Sequence, residues 1–327
     1  MATYISRRLL LMVPTLLLIS VIAYGVIELP PGDFVTTRIG QLIEQGEYSE
    51  EALQNLRHRY GLDRPLYYRY FKWLSRFLIG DLGYSLSWNK PVRELLLARF
   101  ALTALVALLS LLFTWVVAFP IGIYSAINKY SVTDFLWTIV GFVGLAIPNF
   151  LFALILMYLS YKYLPSVGIG GLFSEHYQTE PWSFGKLLDL LAHLWIPVVV
   201  IGTAGTAGLI RIVRANLIDE LKKPYVSMAR SRGISEARVI LKYPVRIAIN
   251  PFLSTVGWVL PSLIAGETIT SVVLGLPTAG PLFLEALRRQ DMQLAGAFVM
   301  LSAILTVVGT LLSDILLAIV DPRIRYR

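Results

Sequence analysis

LLLMVPTLLLISVIAYGVIEL, residues Leu9 to Leu29, decides the fold class, because its only charge is Glu28 near the end. Roughly twenty apolar residues cross the hydrocarbon core of a bilayer as a helix, the form that satisfies its own backbone N–H and C=O groups where water is absent. The run follows Arg7 and Arg8, as a secretory leader would. It exceeds the usual leader core of about 7 to 15 residues, and Glu28-Leu29-Pro30-Pro31 offers no small-residue cleavage site, so it reads as a retained span. Working outward, five further stretches have the same character: Ala101 to Ile127, Phe135 to Leu164, Leu187 to Ile210, Phe252 to Leu274 and Leu294 to Val320. The expectation is an all-α integral membrane protein with six transmembrane helices. A chain that is 56% hydrophobic and only 15% charged supports the class, and the length rule for soluble domains does not apply to it.

Six spans put both termini on one side of the membrane, and the charges name that side. Arg7, Arg8, Lys129, the cluster from Arg211 to Arg246 and the tail Arg323, Arg325 and Arg327 all fall together, which the positive-inside bias makes cytoplasmic. The net charge of +8 is dispersed around apolar spans rather than gathered on one face, so no nucleic-acid partner is expected. With no cysteine, disulfides, thiolate metal sites and cysteine nucleophiles are excluded. Three separated histidines make no metal centre.

Pro30 to Arg99 then lies outside, with its basic residues nearly balanced by acids such as Glu44, Glu47, Glu50, Glu51 and Asp63. Ser49 is placed to cap a short helix carrying Leu53, Leu56 and Tyr60 on one side and closed by Gly61. After Pro65, apolar residues recur at Leu66, Tyr67, Tyr70, Phe71, Leu74, Phe77 and Leu78, with Arg69, Lys72 and Arg76 opposite. That pattern suits a helix along the outer membrane surface, or one packed against neighbouring spans.

Between the fourth and fifth spans stands a polar, basic stretch that lipid-facing helices do not need. Asp219 to Arg230 can be helical, Gly233 permits a left-handed turn, and Ser235 can cap a second helix from Glu236. Two short helices at an angle result. The small residues Ser227, Ala229 and Ser231 are expected to admit a partner surface, with Arg230, Arg232 and Arg238 supplying charge. An ordinary basic loop held by anionic lipid is the plainer reading.

Ala229 followed by Gly233, then Arg246 and Pro251, resembles the cytoplasmic loop of binding-protein-dependent ABC importer permeases. Ordered matches run the length of the chain: Tyr60-Gly61-Leu62-Asp63-x-Pro65, Gly80-Asp81-Leu82-Gly83-x-Ser85 with Pro91-Val92, Ile147-Pro148, Tyr225-Val226, Pro277-x-x-Gly280 with Asp291, and Asp321 to Tyr326. Together they resemble the oligopeptide and dipeptide permease type with a long external segment after the first helix. Ser227 and Met228 stand at the Glu and Ala places of the general motif, and Tyr243, Val245 and Arg246 at its later Ile, Leu and Pro. Ser271 stands where a carboxylate is often found six residues before Pro277, with Glu267 one turn earlier.

The resemblance implies type I ABC importer permease architecture in a prokaryotic plasma membrane, with residues 1–99 as first helix plus external segment and 100–327 as permease core. It implies docking on an ATPase through a loop at about 211–250, with Tyr225, Val226, Ala229, Arg230, Arg232, Gly233, Glu236 and Arg238 as contacts. Expected partners are a second permease, two cytoplasmic ATP-binding subunits, an extracytoplasmic solute-binding protein and lipid. The substrates it implies are oligopeptides or dipeptides, with oligosaccharides or metal complexes as alternatives.

The chain carries no Gly-rich phosphate loop with its Lys, so it has no ATPase site or cofactor of its own to expect; ATP and Mg belong to the partners. No catalytic or metal-binding residue is assigned. A charge within a span is costly, so Glu267 and Asp314 should face a cavity or a partner; Glu267, Pro148 and Ser271 are the pathway candidates. Pro14, Pro120, Pro148, Pro197 and Pro261 permit kinks, and Gly202, Gly205 and Gly208 permit close helix packing. An ion-driven secondary carrier would want several mid-membrane carboxylates and an internal repeat, neither of which is evident. A membrane hydrolase would want H-E-x-x-H or G-x-S-x-G, which are absent, and His58, His176 and His193 lack evident nucleophiles.

Overall fold

The computed structural model describes residues 2–28, 64–85, 87–164, 169–248, 250, 252 and 268–320. The external helix expected after Ser49, Glu267, Pro251, Pro261, most of the expected fifth span and the tail from Asp321 lie outside the described residues. The described chain is helical apart from one small hairpin: α1 (Ala2–Glu28), α2 (Leu66–Leu78), β1 (Tyr84–Ser85), β2 (Lys90–Pro91), α3 (Val92–Ile127), α4 (Val132–Ala146), α5 (Asn149–Tyr163), α6 (Glu175–Thr179), α7 (Phe184–Leu221), α8 (Pro224–Ser231), α9 (Glu236–Lys242), α10 (Pro244–Ala248), α11 (Thr268–Val273), α12 (Ala279–Arg288) and α13 (Met292–Val320). Among these residues α1, α3, α7 and α13 are long and apolar enough to cross a membrane, and α4 with α5 makes a fifth crossing if the bent pair is one span.

That pair corrects the expectation of one continuous span from Phe135 to Leu164. The chain turns by 102° between α4 and α5. Ile147 is extended (φ −84°, ψ 122°) and Pro148 follows at φ −58°, ψ 136°. A residue before proline is driven out of the helical region by clash with the ring, and proline itself has no N–H to donate. The Pro148 carbonyl then accepts from the N–H of Leu151 and Phe152 to open α5. Pro14, Pro120 and Pro197, by contrast, lie inside unbroken helices.

Helices also outrun the apolar stretches that announce them. α3 begins at Val92, in a turn carrying Arg93 and Glu94, and α7 continues past Ile210 through Arg211, Arg214, Asp219 and Glu220 to Leu221. Hydropathy marks the lipid-crossing part of a helix, while backbone hydrogen bonding continues into water.

The chain divides into two compact units, one from Leu102–Pro277 and Val308–Arg327, the other from Ala2–Ala101 and Thr278–Val307. In the first, a core of Val106, Ala153, Leu172, Leu190, Leu194, Ile196, Val200, Leu274 and Leu276 draws on α3, α5, α7 and the turn after α11. α7 lies close against α3 because Gly202 leaves room: a Cβ there would sit 2.5 Å from the Phe113 ring and 3.1 Å from the Ser110 carbonyl. The Gly202 carbonyl accepts from the hydroxyls of Thr114 (2.8 Å) and Thr206 (2.7 Å), satisfying polar groups inside an apolar seam. α4 meets α7 through small residues too, Gly141 against Ala207 and Gly144 against Thr203.

In the second unit α2 rests on the end of α1. Tyr70 sits edge-on to Tyr24 at 5.5 Å, Trp73 is 5.5 Å from Tyr24, and the Tyr70 and Ser20 hydroxyls are 2.8 Å apart. The hairpin is pinned by a buried carboxylate: Asp291 accepts from the Ser85 hydroxyl at 2.5 Å and from the Leu294 N–H at 3.1 Å, capping α13. Phe283 stacks on Phe298 at 4.2 Å, and Phe100 lies 5.4 Å from the same ring.

Candidate functional site

The polar stretch folds as two short helices around a left-handed glycine. α7 stops at Leu221, where Lys222 and Lys223 leave the helix, and Pro224 starts α8 at the position where its missing N–H costs nothing. The expected helix from Asp219 to Arg230 is therefore two pieces, the end of α7 and α8. α8 closes at Arg232, and Gly233 takes φ +74°, a conformation a Cβ disfavours by roughly 1–2 kcal/mol. Ser235 occupies the N-cap position of α9 with extended backbone, but its hydroxyl makes no capping hydrogen bond.

The inner side of this bend is apolar. Val226, Ala229 and Val239 are buried together, flanked by Tyr225, Ile234 and Tyr243. Of the expected docking residues, Val226 (0% exposed) and Ala229 (6%) thus face inward and join α8 to α9. Their neighbours Ser227, Met228, Arg230, Ser231 and Arg232 are exposed, as are Glu236 and Arg238 on α9. Met228, 60% exposed, is a flexible apolar side chain in the middle of that surface, and sequence spacing did not single it out.

Two internal ties hold the bend's shape. The Arg230 guanidinium grips Glu236 with Nη2 to Oε1 at 2.5 Å and Nε to Oε2 at 3.0 Å, across the Gly233 turn. That hydrogen bond holds the Glu236 carboxyl below its usual range and the guanidinium above its own. Tyr225 donates its hydroxyl to Glu220 at 2.6 Å, linking α8 back to α7, and burial together with that acceptor pushes its phenol up. Beneath, Ala126, Leu217, Ile240, Val245 and Ala248 form a cluster that fixes α9 and α10 against the ends of α3 and α7. The bend is thus bolted to two long helices.

One tie runs from α7 toward the broken helix. Arg214, two turns before the end of α7, makes a two-pronged contact with Asp134 at the start of α4, Nε to Oδ1 at 2.9 Å and Nη2 to Oδ2 at 2.7 Å. Asp134 is buried and also accepts from the Tyr130 N–H, while its own N–H goes to the capping Ser131 hydroxyl. The signal was present as Ser131-x-x-Asp134, an N-cap pattern before an apolar run, but nothing in it named Arg214 as the partner.

Pro148 is exposed at the α4–α5 break, and Ser271 is buried in α11. Glu267 lies outside the described residues. Among the described residues no cluster of three or more metal-ligating side chains occurs. Ser174 donates to the Asp189 carboxylate at 2.5 Å, and His193 Nδ1 lies 2.7 Å from the Asp189 carbonyl oxygen.

Residues 118–326 match the family model described as binding-protein-dependent transport system inner membrane component, and residues 1–108 match the model for the N-terminal part of such membrane components. The chain belongs to this family. It is an all-α, multi-pass membrane protein of the ABC transporter permease type. It is similar over the full length of both chains to the oligopeptide transport system permease protein AppB of Bacillus subtilis (strain 168), at 37% identity. The di/tripeptide transport system permease protein DppB of Pseudomonas aeruginosa (strain UCBPP-PA14) is 30% identical and the dipeptide transport system permease protein DppB of Escherichia coli (strain K12) 28%, again end to end. In this permease the bend from Pro224 to Ala248 follows directly on the spanning helix α7 and carries the exposed charges Arg230, Arg232, Glu236 and Arg238.

Proposed function

We propose that this permease is one of two pathway-forming subunits of an ATP-driven importer that takes up oligopeptides or dipeptides delivered by a solute-binding protein. The observation that carries the reading is the bend: an exposed surface of Ser227, Met228, Arg230, Arg232 and Arg238, stiffened by the Gly233 turn and fixed to α7 and α3. A rigid projection on a spanning helix is what a separate motor needs in order to move that helix. The full-length similarity to permeases named for oligopeptide, di/tripeptide and dipeptide transport supports the substrate class.

In this reading both termini and the bend are cytoplasmic, and two ATPase subunits bind ATP and Mg. Their closure on nucleotide shifts a two-state equilibrium between outward and inward access by binding one state more tightly. The chain's own residues do no hydrolysis; they receive displacement at α8 and α9 and pass it to α7.

The test is reconstitution of the permease with its second permease, the ATPases and the binding protein in vesicles, followed by uptake of a labelled peptide. Uptake is expected with ATP and to vanish without it. Uptake by this chain alone, following a proton or sodium gradient, overturns the proposal. A complex that moves only sugars or metal chelates retains the motor and overturns the peptide assignment.

A further inference from the structure

The geometry points to α2 as a helix seated in the lipid interface, its aromatic edge in the acyl region and Lys72 and Arg76 holding anionic phospholipid headgroups. The inference starts from how α2 crosses α1. Arg69 pairs with Glu28 at 2.6 Å, while its neighbour Tyr70 reaches Ser20 at 2.8 Å. Those partners lie eight residues apart on α1, about 12 Å at 1.5 Å per residue. Consecutive residues on a helix project to different flanks, roughly 100° apart. Flanks of α2 that reach along the axis of α1 mean that α2 lies across α1 and not alongside it. Because α1 is a spanning helix, α2 runs in the plane of the membrane near the Glu28 end. At 13 residues, about 20 Å, it is also too short to cross.

The two flanks have opposite chemistry, in the order that depth demands. The Tyr70 flank points along α1 toward the centre of its apolar run, and beyond it on the wheel come Tyr67, Phe71 and Leu78, exposed at 68%, 64% and 77%. The Arg69 flank points toward the Glu28 end, and beyond it come Lys72 and Arg76, both exposed. Tyr70, Trp73 and Phe77, between the flanks, form the ring cluster whose Tyr70 and Trp73 meet Tyr24 of α1. The face left over is apolar and exposed, as are Val21 and Ile22 on the spanning helix α1. α2 contains three basic residues and no acidic one, complementary to phosphate and not to another cationic surface.

The chain has no cysteine, so single cysteines report without background. In vesicles of phosphatidylcholine with phosphatidylglycerol, spin labels at Phe71→Cys and Leu78→Cys are expected to collide with oxygen in preference to a water-soluble nickel chelate, and a label at Arg76→Cys the reverse. With a bimane at Phe71→Cys, quenching by brominated phosphatidylglycerol should exceed that by brominated phosphatidylcholine. Lys72→Gln or Arg76→Gln should reduce that preference about fivefold each, the worth of one basic residue near an anionic surface. Labels at Phe71 and Leu78 open to the nickel chelate, or shielded from both reagents by a protein segment, overturn the seating. An unchanged lipid preference in the glutamine variants overturns the headgroup site. None of these readouts depends on ATPase partners or transported substrate.

Discussion

Gly233 is the residue on which the bend turns. At φ +74° with nothing within 4 Å of a built Cβ, space is free and only backbone strain opposes substitution. Gly233→Asn, which tolerates the left-handed region, should keep ATPase association near that of the parent, while Gly233→Pro, locked near φ −65°, should insert in the membrane yet fail to retain the ATPase in a pull-down. Normal retention by the proline variant would remove the bend from the docking role. Across the same turn, Glu236 contributes to folding above the ordinary carboxylate range. Its folded value is depressed by Arg230, so the contribution is lost only as pH falls through that lower value. ATPase association should accordingly be flat between pH 6 and 8, as read by pull-down, and a fall in that window would place the controlling titration elsewhere. The glycine and the flanking charges were legible in the sequence because turn chemistry is local. The inward placement of Val226 and Ala229 was not legible, because the inner face of α8 is set by α9 folding back on it, a tertiary fact that spacing along one short helix does not carry.

At the scale of elements, packing along α7 is uneven in a way the glycine repeat does not reveal. Gly202 admits no Cβ without moving Phe113, whereas a Cβ at Gly205 meets only ordinary contacts at 3.5 Å and one at Gly208 meets nothing. Gly202→Ala should cost about 1–3 kcal/mol by overpacking, visible as lost thermal stability in detergent, with Gly205→Ala and Gly208→Ala close to neutral. Equal effects at all three would contradict the α3–α7 seam. The Asp134 and Arg214 pair predicts more. Arg214→Ala strands a buried carboxylate and should cost about 3–5 kcal/mol, moderated by the N–H groups that remain. Arg214→Lys should recover only part, since an ammonium cannot make both prongs. A double-mutant cycle with Asp134→Asn measures the coupling, and additivity would show that the two groups do not act as a pair. Pro148 was one of five prolines read as permitting a kink, and nothing local set it apart as the place where the chain turns by 102°. The ion pair spans 80 residues and leaves no local trace of its partner.

Considered whole, the permease was legible in part: four of the expected spans stand as the long apolar helices α1, α3, α7 and α13, and the family read from ordered motifs agrees with matches over residues 1–108 and 118–326. The grouping of residues was not. The unit that contains the beginning of the chain also contains Thr278–Val307, because Ser85 and Asp291 meet although 206 residues separate them. A contact of that separation has a temporal meaning for a protein made from its N-terminus and threaded into the membrane as it emerges. The hairpin at Tyr84 to Pro91 leaves the ribosome first and must wait for its partner until Asp291, 206 residues after Ser85, has been synthesised. Arrested chains ending before Thr278 should therefore be cut by added protease around the hairpin, and chains extended past Val307 should resist. If both lengths are cut equally, the late closure does not occur. Where it does occur, Asp291 closes a structure begun 206 residues earlier, so the hairpin gains its buried anchor only late in synthesis.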